Sequence, residues 1–374
     1  MNDSLITDIH LHTLRVPLTE PFVISLGPIE TVQNVVVRIS TADGRTGWGE
    51  CSPYMTINGE SMDTCVVVGG YFAQLLRGRD SADIAGCIGA MDGVIYANSS
   101  IKSAFDMALY DLAAQRAEQP LYAYLGGHRN KVLATDMTVS IGSPEKMAAD
   151  AARFWKQGFA AIKVKLGKEL EADTARIRAI REAIGPDAPL RVDANQGWRD
   201  ASYALAVLQA LAPFNIEHCE EPIPRWQFLD LPALSAQSPI PIMADESCGD
   251  AHDAERLIRI KACPMFNIKL GKTGGFYKGL KVAQMGEAAG MELQVGGFME
   301  SRLGMTAAAH LALANDAIHH CDFDTPLMFT EDPILGGIGY GEGGVIDVPE
   351  VPGLGATVDP AWLEASVTNA TARL

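Results

Sequence analysis

Three acids and three lysines stand out because each falls at the end of a short apolar run, at nearly regular spacing. Lys163 and Lys165, Asp193, Glu220, Asp245 and Lys269 close the segments AIKVK, LRVD, IEHCE, IMAD and FNIK, with successive segments about 24–28 residues apart. One strand plus one returning helix needs roughly that length, about 30 residues. The side chains are therefore expected to converge at one end of a repeated βα structure. Three carboxylates from three consecutive strands suit a hard cation such as Mg²⁺, which takes oxygen ligands. No His stands with them at zinc-like spacing; His218, two residues before Glu220, reads as packing or support. In a strand, residues two apart point the same way, so Lys163 and Lys165 both face the mouth. Two neighbouring ammonium groups disfavour each other's charge, which is expected to bring a lysine down towards the range a general base needs. Lys269 comes from the far side. A lysine on each face of a planar enediolate removes a proton from one side and returns it from the other. The metal's task is to neutralise the charge that gathers as the proton leaves the carbon beside a carboxylate.

The elements that position these residues follow from periodicity. Candidate strands are 136–141, 161–165, 190–193, 216–220, 242–245, 266–269, 292–295 and 320–322, with amphipathic helices such as 171–184 and 198–211 between them. Eight such repeats are the pattern of an α/β fold of the (β/α)₈ barrel type, which places working residues at the C-terminal ends of its strands. Residues 1–130 read differently: β-branched runs at 6–16 and 32–40, an Asp43-Gly44 turn, a short helix around 66–73 and a clear helix at 100–118. The expectation is an α+β capping domain over 1–130 joined by the tail 340–374, and a barrel over 131–339. The Gly- and Pro-rich stretch beyond Asp332 is expected to be extended and packed back on the first unit.

Composition bounds the partners. Lys+Arg 30 against Asp+Glu 46 leaves a net charge of −16, which disfavours nucleic acid and anionic membranes. The seven cysteines are scattered, with no CxxC pair, and the start has no apolar leader-like core. Both features point to a reducing cytoplasm. No 18-residue apolar stretch is present, so no membrane span is expected.

The set KVK, VDANQGW, EEP, ADES and NIKLGKTGG, in this order along the chain, resembles the muconate-lactonizing subgroup of the enolase superfamily. The resemblance runs essentially from end to end. It implies a modified barrel with a capping domain, one Mg²⁺ per subunit on Asp193, Glu220 and Asp245, and an acid/base pair of Lys165 and Lys269. Asn195 and Glu246 would support them, and Glu221 competes with Glu220 if the register shifts by one. Such barrels usually associate, so a homo-oligomer is expected.

The core alone does not choose among cycloisomerases, dehydratases, racemases and epimerases. Asp322-Phe323-Asp324 narrows the choice: two acids on one face, expected to be free of the metal set, would hold a cationic group. This resembles the feature with which dipeptide epimerases hold the substrate's α-ammonium. Residues 17–33 and 51–60 contain no Lys or Arg. Leu26 stands where relatives that take acidic dipeptides would be expected to carry a cation. Phe22, Ile24, Leu26, Tyr54, Met55 and Phe298 suggest a small apolar pocket, and Thr138 and Ser140 stand at the end of the first barrel strand. The expected substrate is a small neutral dipeptide such as Ala-Ala, epimerised at the C-terminal residue. The alternatives are another enolase-type reaction on a carboxylate, or a barrel that binds without catalysis. Glu300 faces the site only if the seventh strand extends through Met299.

Overall fold

The computed structural model describes residues 3–167 and 169–365, so residues 366–374 of the expected tail lie outside the described residues. The chain begins with an antiparallel meander, β1 (Ile6–Ile24), β2 (Gly27–Thr41) and β3 (Thr46–Cys51). β1 and β2 run further than their β-branched cores suggest, because pairing resumes at Phe22↔Ile29 after a register shift and continues to the hairpin at Ile24↔Gly27. Alternation along β2 divides its two faces. Val35, Val37 and Ile39 pack on the helices Met62–Leu76, Ile84–Val94 and Ser99–Arg116, while Val36 joins Leu14 and Val16 in the barrel's core. β3 lies hard against the third of these helices: a Cβ on Gly49 would sit 2.0 Å from the Ala104 carbonyl oxygen.

The short strand β4 (Leu133–Ala134) leads into eight parallel strands: β5 (Met137–Val139), β6 (Ile162–Lys165), β7 (Leu190–Asp193), β8 (Cys219–Glu220), β9 (Ile242–Ala244), β10 (Met265–Lys269), β11 (Glu292–Gly296) and β12 (Ile318–Cys321). They are ordered β5 to β12 without interruption. A parallel bridge between Thr135 and Cys321 brings the last strand back to the first. This is the expected (β/α)₈ barrel with an α+β unit attached, and each expected strand is found within a few residues of its place. The helices 171–184 and 198–211 appear as Leu170–Ile184 and Ala201–Leu211.

The tail adds β13 (Ile334–Gly336), β14 (Gly339–Tyr340), β15 (Val345–Asp347) and β16 (Ala356–Val358). β15 pairs with both β14 and β4, and β13 pairs with β16. It returns to the first unit as expected: Leu121 N–H donates to Gly353 O (2.9 Å), and Leu354 N–H to Asp111 Oδ1 (2.8 Å). It also grips the barrel, with His310 Nε2 3.0 Å from Leu354 O.

Two buried acids of the capping unit reach the barrel's helix starts. Glu50 accepts from Ser301 N–H (3.1 Å) and Gly304 N–H (2.8 Å) at the start of Arg302–Ala314. Asp106 accepts from Phe276 N–H (2.5 Å) and Tyr277 N–H (3.2 Å) at the start of Phe276–Ala288. Helix N-termini favour anions, and these two helices follow β10 and β11, so the capping unit is tied to the segments that lead away from Lys269 and Gly296. Among the described residues no helix is long and apolar enough to cross a membrane.

Because Gly49 meets backbone, not a flexible side chain, Gly49→Ala forces β3 off the helix. A loss of about 1–3 kcal/mol is expected, read as a lower urea midpoint. A midpoint equal to wild type would contradict this close approach.

Candidate active site

The barrel brings the six spaced residues to one end. Lys165, Asp193 and Glu220 are register partners across β6, β7 and β8, Asp245 follows β9 directly, and Lys269 ends β10. Asp193, Glu220 and Asp245 are fully buried, and Lys163, Lys165 and Lys269 are 1, 7 and 4% exposed. In an eight-strand barrel β6 and β10 are four strands apart, so Lys165 and Lys269 stand on opposite walls with the three acids between them. Lys165 Nζ donates to Asp193 Oδ2 at 2.6 Å, and Lys269 Nζ lies 2.8 Å from Asp245 Oδ2. Each lysine also has an aromatic neighbour: Phe22 5.9 Å from Lys165 Nζ and Phe298 4.8 Å from Lys269 Nζ, ring centre to nitrogen.

Lys163 has a different position from the one its spacing suggests. It lies one layer below Lys165, with its ammonium 2.7 Å from Glu220, 2.7 Å from Asp322 and 3.6 Å from Asp193. Its neighbours therefore correct the expectation that adjacent ammonium groups would bring a lysine down. Burial works in that direction on both Lys163 and Lys269, but the surrounding carboxylates outweigh it. Asp322 and Glu220 hold Lys163 well above the usual lysine range, and Asp245 and Glu220 do the same for Lys269. Glu220 mirrors this: burial and Asp193 push its carboxyl up, while Lys163, Lys269 and Lys165 bring it below the usual range.

The competition between Glu220 and Glu221 is decided by hydrogen bonds. Glu221 Oε2 accepts from the N–H groups of Asp245 (2.7 Å) and Ser247 (3.1 Å), and its other oxygen takes the Ser247 hydroxyl. It braces the next strand, leaving Glu220 in the mouth. Asn195, Gln196 and Glu221 all have positive φ (41, 65 and 34°) immediately after the strands carrying Asp193 and Glu220. Such backbone strain gathers at functional sites. Asn195 N–H donates to Asp193 Oδ1 (2.8 Å), and its amide lies 3.4 Å from Glu246 Oε1.

A divalent cation fits this donor set. Glu246 Oε2 and Asn195 Oδ1 are buried without a hydrogen-bond partner, and Asp245 Oδ2 has only the Lys269 ammonium beside it. Glu246 is pushed well above the usual carboxylate range by burial, then by Asp245. The acids are hard oxygen donors of the kind Mg²⁺ prefers. A second acidic group, Asp136, Asp322 and Asp324, has one ligand atom from each within 4.8 Å of the others. It lies beside β5 and β12 and shares Lys163 with Glu220, whereas Asp193, Glu220 and Asp245 come from the three consecutive strands between those of Lys165 and Lys269.

Asp322 and Asp324 share one face but are less free than expected. Asp322 Oδ2 accepts from Lys163 and Asp324 Oδ2 accepts from the Thr138 N–H (2.6 Å). Thr138 pairs with Lys163 across β5 and β6. Ser140 is used elsewhere, its hydroxyl accepting from Val23 N–H at 2.6 Å as a latch between β1 and the barrel. Of the six apolar residues expected in one pocket, four divide between two clefts, and Ile24 and Phe298 line neither. Leu26, Tyr54 and Met55 line a cleft of about 640 Å³ with Ile29, Glu30 and Met299, whereas Phe22 and Thr138 line a smaller one of about 130 Å³. Tyr54 links the larger cleft to Lys269 by stacking on Phe298 at 6.1 Å. Glu300 lies beyond the end of β11 at Gly296, where its carboxylate accepts from Phe298 N–H. Burial, then Glu50, pushes its carboxyl up to about 8.

Two contributors were missed. Lys272, on the single turn Leu270–Thr273, folds back to bond the Asp245 carboxylate and carbonyl, and donates to Asn267 O (2.9 Å). Asn267 Nδ2 donates to Glu220 Oε1 at 2.6 Å. The period-two rule could have found Asn267, which precedes Lys269 by two residues on the same face.

The chain matches the family model for the mandelate racemase / muconate lactonizing enzyme N-terminal domain over residues 6–126, and the enolase C-terminal domain-like model over 146–362. It is 55% identical over 359 residues to a D-Ala-D/L-Ala epimerase of Cytophaga hutchinsonii, covering 96% of this chain and 97% of that protein. An L-Ala-D/L-Glu epimerase of Bacillus subtilis is 41% identical, over 91% of this chain and 94% of that one. The crystal structure of a dipeptide epimerase from Cytophaga hutchinsonii, complexed with Mg and D-Ala-L-Val, superposes with a TM-score of 0.95 at 54% identity, covering 96% of this chain and 98% of that one.

Replacing Lys163 by Met leaves three buried acids facing one another. A loss of about 3–5 kcal/mol is expected for the metal-free protein at pH 7, measured by urea unfolding. The folded-state pKa of Lys163 lies above its ordinary value. Its contribution is therefore complete below about 10.4 and fades only as pH rises through the folded value. A wild-type advantage that vanished between pH 7 and 9 would refute this assignment.

Proposed function

The chain belongs to the enolase superfamily, in its mandelate racemase and muconate-lactonizing branch, and on that premise we propose that it epimerises dipeptides by Mg²⁺-dependent proton transfer at the C-terminal residue's α-carbon. One observation carries the reading: Lys165 and Lys269 face each other from opposite walls of the barrel with Asp193, Glu220 and Asp245 between them. Mg²⁺ on those three acids neutralises the charge that gathers on the substrate carboxylate as the α-proton leaves. With the charge of Asp193, Glu220 and Asp245 taken up by Mg²⁺ and no longer holding the lysines protonated, one lysine would be neutral and take the proton from one face of the α-carbon, and the opposite lysine, as ammonium, would return a proton to the other face. The enediolate between them is planar, so configuration is lost at its formation and decided by which lysine delivers. Phe22 and Phe298 shield the ends of Lys165 and Lys269 from water. Asn195 and Glu246 orient the acids.

Asp322 and Asp324 hold the substrate's α-ammonium, with Thr138 fixing Asp324 through its N–H. Lys163 sets the charge of Asp322 from below and touches substrate only through it. The C-terminal side chain is directed to the cleft lined by Leu26, Tyr54 and, across the stack, Phe298. That cleft has Glu30 and no Lys or Arg among its lining residues, which opposes a glutamate side chain and favours small neutral dipeptides such as Ala-Ala. The similarity to a D-Ala-D/L-Ala epimerase supports the same class. A reducing cytoplasm goes with this reading, supported by seven cysteines that are all free. So does a homo-oligomer, for which exposed Trp226 and Leu229 offer an apolar surface.

Incubation of Ala-Ala with the enzyme and Mg²⁺ in D₂O is expected to exchange the C-terminal α-proton and change its configuration, as followed by NMR. Loss of water from an unrelated carboxylate, with no exchange on neutral dipeptides, would favour a dehydratase or cycloisomerase instead. Inertness towards every carboxylate would leave a binding barrel. Chelation should stop exchange and added Mg²⁺ restore it. Lys165→Ala and Lys269→Ala should each lower epimerisation by about 100- to 10,000-fold. If one of them still exchanges deuterium into a single enantiomer, that enantiomer reports the face served by the remaining lysine. Full activity in either variant would rule out the two-lysine mechanism.

A further inference from the structure

We infer that Asp136 is a third acid of the ammonium subsite, so that Asp136, Asp322 and Asp324 together select a primary ammonium at the substrate's N-terminus; this rests on the dipeptide reading above. Asp136 stands two residues before Thr138 on the same face of the chain, one layer below the N–H group that holds Asp324. It is 1% exposed. Its Oδ2 accepts from Arg191 Nη1 at 3.0 Å, while its Oδ1 is buried with no hydrogen-bond partner. One oxygen from each of Asp136, Asp322 and Asp324 lies within 4.8 Å of the others. Each acid already gives one oxygen to a donor of the protein: Asp136 to Arg191, Asp322 to Lys163 and Asp324 to Thr138.

The charges do not close without a further cation. Of three carboxylates, Arg191 balances one and Lys163 a second, and Lys163 is also shared with Glu220. Burial, then Asp322, raises both Asp136 and Asp324, the latter to about 7, as expected of acids with too few cations nearby. A primary ammonium supplies one positive charge and three N–H donors, one for each acid. A pair of acids would use only two of them. The third acid therefore makes the site discriminate between a free N-terminus and an N-methylated or uncharged one.

The test uses the Mg²⁺-loaded enzyme and three substrates: Ala-Ala, N-methyl-Ala-Ala, and the analogue with a hydroxyl in place of the ammonium. Wild type is expected to lose about tenfold or more in kcat/KM on N-methylation, since a hydrogen bond to a charged group disappears. Asp136→Asn keeps the shape and an oxygen for Arg191. It should raise KM for Ala-Ala by about tenfold with kcat changed by less than about twofold, and should shrink the preference for Ala-Ala over both analogues. A purely structural Asp136 would instead lower kcat for all three substrates in proportion and leave the preferences intact, which overturns the proposal. Wild type alone also decides if the variant fails to fold: equal kcat/KM for Ala-Ala and N-methyl-Ala-Ala removes the third acid. Absence of α-proton exchange on Ala-Ala by wild type would overturn the dipeptide reading itself, a result distinct from exchange with flat selectivity.

Discussion

A carboxylate taken out of water needs a cation or several donors close by, and at this barrel's mouth and in the layer beneath it Asp136, Asp193, Glu220, Asp245, Asp322 and Asp324 are all nearly or fully buried. Everything around them answers that demand. Lys163 is the central piece, because its one ammonium reaches Glu220, Asp322 and Asp193 at once. It joins the acids between the two catalytic candidates to the acids proposed for the ammonium, so the two halves of the site share one charge balance.

That balance explains why the barrel's interior is polar where apolar filling is usual. Two residues back from the mouth, on the same faces, stand Lys163, Arg191, His218, Asn267, Gln294 and His320. Arg191 reaches Asp136 and His320, and His218 packs on His320 with ring centres 5.3 Å apart. Burial, then Arg191, lowers both histidines, so this layer adds donors without adding two more charges. The layer is a fixed bed of dipoles and ions beneath the candidate site, which is the arrangement that makes electrostatic stabilisation effective.

The capping unit does more than cover this bed. Glu50 and Asp106 bind the first N–H groups of the helices that follow β11 and β10. Phe298 and Tyr54 then stack between the cleft and Lys269. The wall proposed to sort side chains is thus tied to the segment that carries one of the lysines. The cleft and Lys269 are mechanically close in this fold, although they arise from different parts of the chain.

Local sequence determined a good deal. The recurrence of short apolar runs ending in Lys, Asp or Glu was enough to place eight strands and to bring six charged side chains to one end, because strand period and barrel closure are properties of the backbone. The motif order was enough to identify the family. Tertiary structure decided which charges meet. Lys163 and Lys165 are indistinguishable by spacing, yet one is locked among three acids a layer down and the other reaches the mouth. Glu220 and Glu221 differ only in which side of the strand they leave. Lys272 enters because a single helical turn folds it back onto Asp245. The acidity of Lys163 and Lys269 was misjudged from sequence for the same reason: a pKa follows the nearest opposite charge in space, and the acids that raise these two most, Asp322 and Asp245, lie 159 and 24 residues away along the chain.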